Sequence, residues 1–136
     1  MNAELEAAVR DRARNTCEYC LIPQSAEITD HQIDHVIARK HAGETTLENL
    51  AVSCFHCNVH KQTDLTGIDP DTREITPLFN PRTDQWIDHF EMTRDGSIIA
   101  KTAVGRVTLY VLKMNEPESV TLRGLLIRGG MMAATA

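Results

Sequence analysis

Two cysteine pairs constrain this chain more than any other feature. Its only cysteines are Cys17, Cys20, Cys54 and Cys57, which read C-x2-C, 33 intervening residues, then C-x2-C. A CxxC turn lets two thiolates converge on one ion, and two such turns complete a tetrahedral zinc site. Four thiolates leave no position for water, so the spacing predicts a structural metal whose binding free energy belongs to folding. Two disulfides or a redox CxxC are the alternatives. Disulfides do not suit a reducing compartment, and a redox motif leaves the second CxxC unexplained in a chain with no thioredoxin-like βαβ pattern. A staple suits a chain of 136 residues with 4% aromatics, whose core must be thin.

Charge narrows the partners. Fourteen Lys and Arg face nineteen Asp and Glu, a net of −5. That balance argues against a polybasic nucleic-acid binder but not against a nuclease, because a bound divalent cation supplies positive charge at one phosphate. No apolar run approaches the ~20 residues that span a bilayer. The N-terminal MNAELEAAVRDRAR lacks the apolar stretch of a signal peptide. The expectation is a cytoplasmic protein with no membrane partner.

Periodicity predicts a helix over 4–14, with Leu5, Ala8, Val9 and Arg12 on one stripe and the Arg12 stem laid on the core. Residues 26–37 suggest a strand, a turn near Thr29 and Asp30, and a second extended run. Gly43 is expected to take a positive φ in the following loop. LENLAVSC then reads as a short extended or turn segment ending in the second knuckle, and CNVHKQT as the start of a short helix. Further on, a short strand is expected near 74–76 and a short helix capped by Thr83 or Asp84. A hairpin is expected around Asp95-Gly96, then helices over 103–113 and 117–128, the second opened by Pro117. The terminal GGMMAATA is expected to fray.

Between the cysteine pairs lie residues with chemical uses. Asp34 and His35 are adjacent on an extended segment, Asn49 follows a loop, Asn58 follows the last cysteine and Lys61 comes three residues later. A carboxylate is a hard ligand for Mg²⁺. A neutral imidazole takes a proton from water near pH 7. An Asn amide serves a metal or loop backbone groups. Successive strand side chains point to opposite faces, so Asp34 and His35 share a target only at a strand end or a bulge.

In that order these motifs resemble an HNH endonuclease, the ββα-metal or His-Me finger nuclease module of small standalone bacterial type. The matching elements are C17EYC20, D34H35, the loop with Gly43, N49L50, C54FHC57, Asn58 and Lys61. The resemblance spans residues 17–61, and PLFNPRTDQWIDHF with GRVTLYVLKMN is similar to the trailing segment of such proteins. It implies an α+β fold: a zinc-stapled ββα core with an N-terminal helix over 1–66, and a hairpin-plus-helices extension over 67–136. It also implies DNA, double-stranded, as partner, and hydrolysis to 5′-phosphate and 3′-hydroxyl ends. His35 would be the general base and Asn49 would pin the loop that positions it. Asp34 and Asn58 would hold one catalytic cation. Asn at 58, where many relatives have His, tilts that cation toward Mg²⁺ or Mn²⁺.

Each reading has a plainer rival. His35 could be a surface or packed histidine, Asp34 a solvated acid or an orienter of His35, and Asn58 a capping residue at a helix start. Arg39, Lys40, His60 and Lys61 are candidate phosphate contacts, against the rival of solvated charges. His31, His41 and His56 read as surface residues, and His89 as packing beside Trp86 and Phe90. Residues 64–136 could bind DNA, pair subunits as a homodimer, or complete the core. The competing function is a zinc-stapled module that binds nucleic acid or protein without cleaving.

Overall fold

Helix α1, Ala3–Ala13, opens on Asn2, whose Oδ1 accepts from the Leu5 amide at 2.7 Å. Glu4 and Glu6 in its first turn and Arg10 and Arg12 in its last complement the helix dipole. It buries Val9 against Leu50 and Val52, with Leu5, Ala13 and Ile33 flanking. Full burial of each of these three contributes at most about 1.5–3 kcal/mol. Arg12 stays outside and donates to the carbonyls of Leu47 and Leu50, tying the helix end to the start of the second strand and the turn before it.

The computed structural model describes residues 1–135, and the chain divides into two compact units. The first comprises Met1–Leu65 and Asn80–Asp84, the second Thr66–Phe79 and Gln85–Ala136. Among the described residues no helix is long and apolar enough to cross a membrane.

In the first unit strand β1, Gln32–His35, pairs antiparallel with β2, Leu50–Ser53, in an unbroken register from Gln32↔Ser53 to His35↔Leu50. Helix α2, Phe55–Lys61, follows at once, capped by the Cys54 thiol, which accepts from the Cys57 amide at 3.4 Å. This strand–strand–helix run is the ββα part of an α+β fold. The segment at Asn80–Asp84 joins it through Arg82, whose Nη2 pairs with Glu18 Oε1. Glu18 in turn bonds both backbone groups of Val52, through its own amide and its Oε2.

The second unit holds two hairpins, β3 (Thr66–Ile68) with β4 (Ile75–Pro77), and β5 (Phe90–Met92) with β6 (Ile98–Ala100). Helices α3 (Trp86–His89), α4 (Ala103–Val111) and α5 (Pro117–Arg128) complete it. Its buried side chains include Phe90, Met92, Ile98, Val107, Leu112 and Met114. Gly96 supplies the β5–β6 turn at φ 92, where a side chain would be strained.

Several local expectations need correction. No strand forms at residue 26; Gln24–Ala26 is a 3-10 turn, and the Gln24 side chain bridges the Thr29 carbonyl and the His31 amide. Gly43 does not take the positive φ, which falls on Ala42 at 67°. Glycine is needed at 43 for another reason: a Cβ would lie 1.7 Å from the Ile37 oxygen. The cap of α3 is Gln85, without a side-chain bond, because the Asp84 carboxylate turns back to the Asn80 amide at 2.9 Å. His31 is buried, its Nε2 3.0 Å from the Ile22 carbonyl oxygen, not a surface residue. The C-terminal tail is tied down through Thr135, which exchanges backbone and side-chain bonds with Met92; residue 136 lies outside the described residues.

Candidate metal centre and reaction site

The cysteines converge as their spacing predicts. One ligand atom from each of Cys17, Cys20, Cys54 and Cys57 lies within 4.8 Å of the others, and all four residues are buried. Cys20 Sγ and Cys54 Sγ are 3.7 Å apart. A tetrahedron with 2.3 Å zinc–sulfur bonds has an edge of about 3.8 Å, so the four thiols fit zinc. Burial raises the Cys17 thiol, but hydrogen bonds from Cys20, Cys54 and Cys57 outweigh it and carry Cys17 well below its ordinary value. The same bonds push Cys20 and Cys57 up. Among the described residues no other His, Cys, Asp or Glu group converges in this way.

The cluster brackets the candidate reaction site. Cys17 and Cys20 precede β1, while Cys54 caps α2 directly after β2. His35 ends β1, half-buried, with Nε2 2.8 Å from Thr45 Oγ1. Thr45 was not foreseen from the sequence, because nothing in a ten-residue separation within a loop signals the contact. Asn49 fastens the same loop. Its Oδ1 accepts from the Ile37 amide at 2.9 Å, and its Nδ2 donates to the Ile37 and Glu44 carbonyls at 2.9 and 2.8 Å. The close approach at Gly43 lets the chain pass beneath that amide.

Asp34 departs from β1 on the face opposite to His35, since the register contains no bulge. It is only 7% exposed, and its Oδ2 accepts from Tyr19 Oη at 2.8 Å and from the Lys61 ammonium at 3.1 Å. Burial raises the Asp34 carboxyl, against the opposing pull of Lys61 and Tyr19. Burial and the Asp34 charge push the Tyr19 phenol well above its ordinary value. Lys61 does not face a phosphate. It is 2% exposed, and its Nζ also donates to the Val36 and His35 carbonyls at 3.2 and 3.4 Å. The ammonium has three protons, and this constellation uses them all.

Asn58 lies on α2 one turn before Lys61, half-buried, and among the described residues its amide side chain has no hydrogen-bond partner. His60 packs tilted on His56, with ring centroids 4.3 Å apart and Nδ1 2.7 Å from the His56 oxygen. Arg39 and Lys40 are exposed on the turn after β1, as is His41. His89 lies edge-on to Phe79 and Phe90 and bonds Thr102 Oγ1 at 2.7 Å, as packing predicts.

Comparison with known proteins accords with this geometry. Residues 17–64 match the family described as HNH endonuclease. The match lies inside the first unit and holds the cysteine cluster, β1, β2 and α2. No curated protein and no solved structure gives a significant match.

Proposed function

We propose that the first unit hydrolyses phosphodiester bonds of double-stranded DNA in a reaction that requires a divalent cation. The observation that best supports this reading is His35, within the matched segment, half-buried at a strand end with one ring nitrogen held by Thr45. With Nε2–H donating to Thr45 Oγ1, Nδ1 carries the lone pair that takes a proton from the attacking water. Asn49 acts through the loop, holding Ile37 and Glu44 and so the path between His35 and Thr45. Asp34 and Asn58 offer a carboxylate and an amide oxygen, a hard donor set that fits Mg²⁺ or Mn²⁺. Such a cation, when bound, supplies charge stabilisation at the scissile phosphate and the leaving 3′ oxygen. Exposed Arg39 and Lys40, with His60, hold flanking phosphates. The setting is the cytoplasm.

Two observations favour the rival reading of a non-cleaving binding module. Asp34 leaves β1 on the face opposite to His35, so the two do not converge directly on one target. The Lys61 ammonium beside Asp34 offsets the negative charge that would attract a cation. Supercoiled plasmid incubated with Mg²⁺ or Mn²⁺, with and without EDTA, separates the two. Wild type should nick only with metal, and His35→Ala should be slower by about 10²–10⁴-fold. Equal nicking by both proteins would end the catalytic reading. DNA retention without nicking in any metal would establish the rival.

A further inference from the structure

Asp34 Oδ2 is gripped from two directions by side chains that are themselves buried. Tyr19 lies inside the first CxxC turn, between Cys17 and Cys20. Lys61 lies one helical turn beyond Cys57 on α2, anchored by the carbonyls of β1 and the bend after it. Each cysteine pair therefore places one donor on the same carboxylate oxygen.

We infer that Tyr19 and Lys61 are positioning residues that fix Asp34 through Oδ2 and present only Oδ1 to a cation, so that the four-cysteine cluster sets the geometry of the reaction site. This rests on Asp34 being a cation ligand, as proposed above. A carboxylate bound through both oxygens suits Ca²⁺, whose large and flexible shell accepts bidentate ligands. Mg²⁺ requires near-ideal octahedral geometry and takes one oxygen from each carboxylate. Holding Oδ2 with two donors therefore selects the smaller octahedral ions. The packing around a carboxylate 7% exposed leaves it little room to rotate and offer the second oxygen.

The test measures Mn²⁺ binding to the full zinc-loaded chain without DNA, by electron paramagnetic resonance of free Mn²⁺, with Ca²⁺ as competitor. Both ions carry two charges, so the Mn²⁺/Ca²⁺ affinity ratio does not respond to the bare loss of the Lys61 charge. Tyr19→Phe should lower that ratio about tenfold, the scale of losing a group that orients a metal ligand. Lys61→Met should lower it similarly wherever that variant keeps its zinc. Asp34→Asn should abolish competitive binding of both ions. Binding by Asp34→Asn equal to wild type would overturn the ligand reading itself. Loss of binding in Asp34→Asn, with an unchanged ratio in Tyr19→Phe, would overturn the two-donor grip and leave that reading standing. Loss of zinc from Tyr19→Phe would also overturn it, by making Tyr19 part of the cluster's own folding.

Discussion

Replacing Lys61 by Met removes the partner of a buried carboxylate and keeps the side-chain volume. Lys61 is 2% and Asp34 7% exposed, so water cannot replace the lost ammonium. Breaking a buried pair by removing one ion costs about 3–5 kcal/mol. The contacts agree with that scale: the variant loses the 3.1 Å ion pair and the bonds to the Val36 and His35 carbonyls, neutral bonds each contributing on the order of 1 kcal/mol. With a urea slope of about 1–3 kcal/mol per molar, the midpoint should fall by roughly 2 M. Zinc release to a colorimetric chelator across a urea series reports this unit directly, since all four thiols lie in it. The double variant Lys61→Met with Asp34→Asn should recover much of the loss, because the stranded charge is gone. An unfolding free energy for Lys61→Met within about 1 kcal/mol of wild type, or a double variant no more stable than the single, would refute the argument.

Other outcomes follow from the same geometry. Cys54→Ser should release zinc and unfold the first unit, since a structural ligand carries folding free energy; retained zinc and an unchanged melting curve would contradict this. Gly43→Ala should cost about 1–3 kcal/mol through the clash with the Ile37 oxygen and should disturb the Asn49 amide; a neutral melting shift would show that the loop yields freely. Hydrogen bonds from Arg106 hold Asp69 well below the usual carboxylate range, with help from Asp71 and Thr72. Its contribution is present above the unfolded carboxylate value of about 3.9 and is lost as pH falls toward the folded one. Asp69→Asn should therefore flatten the acid limb of the stability curve followed by Trp86 fluorescence, and an identical acid limb would place the sensitivity elsewhere.

The metal cluster was legible because four cysteines with this spacing have few other uses. So was the β-to-α order around it, since LENLAVSC buries every residue of β2 and the last CxxC starts the helix. The residues that misled did so for local reasons. Lys61 carries a charge, and charge predicts solvent; its burial depends on Asp34, 27 positions earlier, which periodicity does not report. His31 was lost to the same bias. Tyr19 was visible as the aromatic inside the first CxxC turn, yet its partner Asp34 becomes evident only once the cluster folds the knuckle against β1. Gly43 was recognised as necessary for the wrong cause: Ala42 bears the backbone strain, and the missing Cβ admits Ile37.

The ion pair between Glu18 and Arg82 has a bearing on synthesis. The segment that carries Arg82 arrives after 14 residues of the other unit, Thr66–Phe79, have been made. A nascent chain released from the ribosome at residue 66 would hold every cysteine and the whole matched segment, yet its knuckle carboxylate would lack its guanidinium. The first unit is finished only when residue 84 emerges, and a shortened version designed to stop at the end of the matched segment would omit a piece of its own structure.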